Sequence, residues 1–174
     1  NAIYSQFGSK VNKFSYLLGL RTEITDVKVR LTNTNENFDY KYTKLFPTIN
    51  IGFERTEDQS FTVGYSRRLR RPKFWYLNPF ESRSSQNVIY KGNPGLTPTF
   101  TNSFDLGYLQ KIGKLTLNSS IYFQHSINSI LRVSRDEIRL LDGVNQVITI
   151  REPINLASED RFGFELTANY NPSK

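Results

Sequence analysis

The 174-residue chain contains no cysteine, no methionine and one histidine, His125. Without thiols there is no disulfide framework, thiolate zinc site or cysteine nucleophile. A lone imidazole makes a poor transition-metal site, and only an all-oxygen calcium site stays open to the carboxylates. Apolar residues form 37% of the chain and mean hydropathy is −0.50. No segment approaches the roughly 18 consecutive apolar residues of a membrane helix. That excludes helical spans only, because a barrel strand shows lipid at every second residue and escapes a hydropathy scan. The chain begins at Asn1 without a signal-peptide pattern and reads as a piece of something longer.

What is present is aromatic and alternating. Phe and Tyr number 13 and 10. Phe61, Val63 and Tyr65 take one parity against Thr62, Gly64 and Ser66. The same period of two runs through 14–24, 48–54, 100–109, 114–123 and 161–170. Phe100, Phe104, Leu106 and Tyr108 oppose Ser103, Asp105 and Gly107. Leu115, Leu117, Ile121 and Phe123 oppose Thr116, Asn118 and Ser120, and Phe164 and Leu166 oppose Glu165. Such alternation means strands with one apolar and one polar face. Tight polar turns fall at 8–13, 55–60, 110–114 and 171–174, and longer segments at 26–42, 67–99 and 134–160. The third long segment is expected to hold its own hairpin around Asp142-Gly143.

A soluble β-sandwich also alternates, but its turns are evenly spaced and not sorted by length. Bulky Phe, Tyr and Leu on one parity, with Ser, Thr, Asn, Gly, Glu and Arg on the other, suit lipid outside and a wet lumen inside. The expected fold is all-β: an antiparallel up-and-down transmembrane barrel wall of about seven spanning strands. Its short turns should share one end, and Leu117 should lie nearer mid-bilayer than Phe123. Its two open edges require partners outside this sheet.

The stretch "GYSRRLRRPKFWYLNPF" (64–80) sets four arginines after a strand and four aromatics after those. It suits a nucleic-acid patch, a solvated rim, or the point where a strand leaves a membrane. The net charge of +7 permits any acidic partner and selects none. On the barrel reading, strand 60–66 spans and Arg67 to Arg71 emerge above it. Phe74, Trp75, Tyr76 and Phe80 then fold into the loop core, braced by Pro72 and Pro79. Arg67, Arg68, Arg70, Arg71, Trp75 and Tyr76 are the candidate ligand contacts of that loop. The arginines serve equally as partners for loop carbonyls, carboxylates or lipid phosphates.

Chemistry of other kinds finds little support. His125 and Ser126 are adjacent on a strand and point to opposite faces, so they form no nucleophile and base pair. Glu57-Asp58 and Glu159-Asp160 fall in turns, and "GNPG" lacks the spacing of a phosphate loop. No enzyme, cofactor or metal site is expected.

"KLFPTINIGF" (44–53), "FTVGYSRRLRRPKFWYLNPF" (61–80) and "YKGNPGLTPTFTNSFDLGY" (90–108) come in an order that resembles the barrel of TonB-dependent receptors of Bacteroidota. "GLRTE" (19–23) and "FGFELTANYNP" (162–172) extend the likeness within this outer-membrane β-barrel family. The resemblance implies a plugged barrel of about 22 strands in the bacterial outer membrane, importing a bulky solute. Residues 1–174 would be the C-terminal part of that barrel domain, with the plug and remaining strands outside this chain. Implied partners are outer-membrane lipid and lipopolysaccharide, the plug domain, the TonB energy-coupling complex, a surface lipoprotein and an unidentified solute, with no nucleic acid. The competing readings are a soluble β-sandwich binding module and a passive porin-type barrel.

Overall fold

The computed structural model describes residues 1–30, 37–141, 143–156 and 158–172. In chain order its elements are β1 (Ala2–Val11), β2 (Phe14–Arg30), β3 (Asn37–Thr56), β4 (Gln59–Arg70), α1 (Phe74–Leu77), β5 (Ser82–Ser85), β6 (Val88–Tyr90), β7 (Thr99–Ile112), β8 (Leu115–Ile127), β9 (Ile130–Leu141), β10 (Val144–Asn155) and β11 (Glu159–Tyr170). Seven strands form one antiparallel wall in the order β1-β2-β3-β4-β7-β8-β11, and β5-β6-β10-β9 form a second, smaller sheet.

Tight turns join β1 to β2, β3 to β4 and β7 to β8. Asn12 and Gly113 take φ of 53° and 57°, the left-handed geometry that two-residue hairpins demand. Because neighbours run antiparallel, all three turns lie at one end, as the sequence predicts. They are sewn together there: Lys10 pairs with Glu54 (2.6 Å), Lys111 N donates to Asp58 O (2.8 Å), and Asn171 N donates to Lys114 O (3.0 Å). β2 and β3 reach 17 and 20 residues, well past the roughly 9–11 a bilayer crossing needs. Their far ends, expected as loop, therefore stand out beyond the span as a paired ribbon.

The register sorts the wall into faces. One rung carries Tyr16, Ile51, Val63, Leu106, Ile121 and Phe164 side by side. The rungs on either side are rich in aromatics: Phe14, Phe53, Phe61 and Tyr108 below, giving way to Ser119 and Leu166, and Tyr65, Phe104, Phe123 and Phe162 above, next to Leu18 and Ile49. Their rings touch, with centroids 4.7 Å apart for Phe14–Phe53, 4.9 Å for Phe61–Tyr108 and 4.9 Å for Tyr65–Phe104. A largely aliphatic centre flanked by rungs rich in aromatics is the outward pattern of a membrane barrel. The centre of this band is Ile121, which corrects the expected mid-wall position of Leu117. Leu117 pairs with Gln110 and Ala168, one rung from the strand ends at Leu115 and Tyr170.

Among the described residues no second sheet covers the apolar face: Val63 stays 52% exposed, Phe164 61% and Leu166 64%. A sandwich would bury those residues, so that alternative fails. The opposite face carries Asn50, Thr62, Asp105, Asn118 and Glu165, together with the strand glycines Gly8, Gly19, Gly52, Gly64, Gly107 and Gly163. At Gly163 the reason is a close approach, because the Tyr122 ring lies where a Cβ would stand. Gly163→Val is therefore expected to cost about 1–3 kcal/mol by overpacking. In a Tyr122→Ala background the same change should be nearly neutral, a coupling that urea unfolding of the four variants of the full-length protein in lipid vesicles will measure.

Above the upper aromatic rung the apolar parity turns polar, through Arg67, Asn102, His125 and Asp160. Beyond that level alternation no longer separates the faces. Phe100, grouped by parity with Phe104 and Leu106, is 8% exposed and stacks on Phe46 from the polar parity (6.4 Å, 13°). Protein rather than lipid covers it.

The smaller sheet is built from both long excursions. β9 and β10 form the expected hairpin, with Gly143 at φ 78° in its turn; Asp142 lies outside the described residues. β5 and β6 come from the 71–98 excursion, and β6 joins β10 in parallel. The core of this sheet is Ile89, Ile148 and Ile150, all at most 1% exposed, with Leu141 against them. Asn155 ties it down to the wall. Its Nδ2 donates to Thr97 O (3.0 Å) and Asn128 O (2.8 Å), and its Oδ1 accepts from Thr97 N (2.7 Å).

Candidate functional site

The six candidate contact residues do not gather in one place. They are divided among three recesses at the long-loop end.

β4 continues through Arg70, because Arg70 still pairs with Thr99 of β7; the arginines expected beyond the strand are within it, except Arg71. Arg67 and Arg68 border a groove of about 340 Å³ with Tyr4, Gln6, Arg21, Phe46 and Thr48. The Arg67 guanidinium lies 5.7 Å from the Phe100 ring and that of Arg21 5.1 Å from Phe46. Arg67 Nε is buried with no hydrogen-bond partner among the described residues. Arg70 and Arg71 border a second recess of about 220 Å³ with Pro72, Lys73 and Tyr76. Arg71 and Arg21 both pair with the carboxylate of Glu23, which is 8% exposed. The carboxylate partner expected for these arginines is thus real for Arg71.

Trp75 and Tyr76 line the third and largest recess, of about 420 Å³. They lie on α1, a single turn that follows Pro72. The expected burial of the aromatics in the loop core does not occur: Phe74 is 85% exposed, Trp75 61% and Phe80 52%. The apolar centre of the loops is already filled by Ile89, Ile148 and Ile150, so α1 is left at the surface with its rings outward.

Phe80 joins them, and the cations of this third recess come from residues the sequence did not single out: Lys91 after Tyr90 at the end of β6, Arg132 on β9 and Arg151 on β10. Arg132 lies over Tyr76 (5.3 Å) and Tyr90 (6.0 Å), and Arg151 over Tyr90 (5.6 Å). Arg151 Nη1 donates to the Tyr90 hydroxyl at 2.9 Å. That bond, with the charges of Arg151 and Arg132, holds the Tyr90 phenol below its ordinary pKa. Only the pairing of β6 with β10 brings these groups together.

Behind the sheet, Arg139 clamps Glu81 with two bonds of 2.8 Å and also bonds Glu137 (3.0 Å). The hydrogen bond from Arg139, aided by its charge, holds the Glu81 carboxyl below its ordinary value of 4.5. A carboxylate with a lowered pKa stabilises the fold above the unfolded value and loses that contribution as pH falls through the folded one. Amide exchange at Ser82–Ser85, corrected for intrinsic rates, is expected to quicken as pH drops below about 4.5. Glu81→Gln should remove that pH dependence.

His125 shares the parity of Phe123, as expected, and its Nδ1 meets Asp160 at 2.6 Å. Ser126 instead hydrogen-bonds Thr101 (2.8 Å), so the two adjacent residues act apart.

A one-layer antiparallel wall, apolar on one side and polar on the other, with short turns at one end and long loops at the other, is the wall of a transmembrane β-barrel. The chain belongs to the outer membrane protein beta-barrel family, whose model matches residues 1–174. It is a protein of the bacterial outer membrane, and the sheet is an unclosed part of a barrel. Among curated proteins nothing matches the chain in sequence. Solved structures share its fold. The hemophore receptor HasR of Serratia marcescens, in complex with its hemophore HasA and heme, matches 98% of this chain with TM-score 0.74 and 15% identity. A mutant of the ferric enterobactin receptor PfeA of Pseudomonas aeruginosa matches 99% with TM-score 0.69 and 17% identity. The FrpB iron transporter of Neisseria meningitidis matches 99% with TM-score 0.65 and 16% identity. The chain spans 31%, 24% and 23% of these three proteins. All three are receptors or transporters.

Proposed function

We propose that this chain is the wall and loop canopy of a TonB-dependent receptor of the Bacteroidota type, which imports a bulky solute through a plugged barrel. The observation that carries this reading is the canopy: two separate loop excursions share one sheet and hold a cationic and aromatic recess at the long-loop end of the wall. A passive pore has no need of a sheet with its own core above its mouth. Arg67 and Arg68 contact the solute or the plug from the inner groove. Arg70 contacts the solute from the upper end of β4, and Arg71, Trp75 and Tyr76 contact it from the canopy. The protein acts by binding and transport, not by catalysis. A plug domain and the remaining strands are supplied by chain outside residues 1–174, and the edges β1 and β11 pair with those strands. The energy-coupling complex drives the plug, a surface lipoprotein is a further partner, and lipid and lipopolysaccharide face the apolar rungs.

Solute uptake by cells carrying the full-length gene tests this. Uptake should stop when the proton gradient is dissipated, with the receptor still in the outer membrane. Uptake that persists without the gradient would identify a passive pore and overturn the proposal.

A further inference from the structure

We propose that the recess between α1 and the β6–β10 pair binds a compact anionic group that carries a flat aromatic ring. This rests on the receptor reading above and names the class of solute it would take.

The register puts the cations on one face. Tyr90 pairs with Arg151, Arg151 with Ser134, and Pro153 with Arg132, so Tyr90, Arg151 and Arg132 share a side of the sheet. Among the described residues Arg132, Arg151 and Lys91 take part in no ion pair, and only the charge of Lys91 is felt by a carboxylate, that of Glu81, at longer range. The nearby acids are engaged elsewhere. Glu81 is clamped by Arg139, and Asp136 accepts from Thr149 Oγ1 at 2.8 Å. Arg132 and Arg151 rest instead on tyrosine rings, an arrangement that holds the guanidinium plane while leaving N–H edges free for a bidentate acceptor. Tyr90 consumes only one of those donors from Arg151. The recess is therefore an uncompensated, pre-oriented anion seat.

The rings specify the rest. Trp75 and Phe80 stand at the mouth more than half exposed, and Tyr76 forms the wall beneath them. Large aromatic surface held out of a core offers stacking to a flat apolar face. The volume of about 420 Å³ lies in the range of small-molecule sites. It takes one ring-bearing acid, either free or as an end group of a larger solute.

The test uses the full-length receptor in detergent and three matched probes, with affinity read by calorimetry. Naphthalene-2,6-dicarboxylate has ring and charge, its dimethyl ester has the ring alone, and adipate has the charge alone. The dicarboxylate should bind at least about tenfold more tightly than either of the others. Arg132→Gln and Arg151→Gln should each weaken it roughly tenfold, and Trp75→Ala about threefold or more. Lys111→Gln, at the opposite end of the wall, should leave it unchanged. Should a glutamine variant fail to assemble, Arg132→Lys, which keeps the charge and loses the planar fork, should show a partial loss. Equal binding of the ester, or unchanged affinity in assembled arginine variants, overturns the inference. Gradient-driven uptake in cells whose receptor binds no probe leaves the receptor reading standing and sinks this one. Arginine-dependent binding without gradient-driven uptake does the reverse.

Discussion

Ile121→Arg in the full-length protein is expected to lower stability by roughly 2–4 kcal/mol, the cost of an arginine at the lipid-facing midplane of a barrel. Ile121 lies in the central rung between Leu106 and Phe164, with Phe123 and Phe162 in the rung above and Tyr108 and Leu166 in the rung below. Phe123→Arg, one rung higher and next to the polar level of His125, should cost only about 0–1 kcal/mol, because its guanidinium reaches headgroups. Ser120→Arg should also be mild. Ser120 faces the polar interior, opposite Glu165 and Gly107. Urea titrations of the refolded protein in vesicles would give all three values. Equal losses at 121 and 123 would mean that protein, not lipid, covers this face.

The second large effect is expected in the canopy. Ile148 is completely buried, and among the described residues its small core holds Ile89, Ile150 and Leu141 besides. Ile148→Ala removes transfer energy and leaves a cavity, at a cost of about 2–5 kcal/mol. So small a sheet has little stability to spare, and the change should open it locally. Amide exchange at Val88–Tyr90 and Thr149–Arg151 should quicken by orders of magnitude, while β7 and β8 stay protected. The wall is insulated because its hydrogen-bond ladders do not pass through β10. Ile138→Ala, on the same hairpin but 70% exposed, should change exchange little. Loss of protection throughout β7 and β8 in Ile148→Ala would show that wall and canopy fold as one unit.

The sequence by itself determined the wall. A strand's side chains alternate at every residue, so Phe61, Val63 and Tyr65 reveal one face and Thr62 and Gly64 the other without any knowledge of neighbours. The tight turns are equally local, because Asn12 and Gly113 sit where a two-residue hairpin needs left-handed backbone. Even the level at which lipid contact ends shows in the chain, where Tyr65 gives way to Arg67. Depth was less legible, since Leu117 and Ile121 look alike until the rungs are aligned across strands. The cationic face of the smaller sheet was not legible at all. Arg151 meets Tyr90 across 61 residues, through a parallel pairing of strands from different excursions. Neither segment carries a pattern that names its partner. The same absence misplaced the aromatics: with Ile89, Ile148 and Ile150 filling the loop core, Phe74 and Trp75 had no interior left to enter. Period and turn chemistry act over a few residues and can be read one strand at a time. Which distant strands share an edge, and which side chains then win the interior, is decided only when the whole chain competes for the same space.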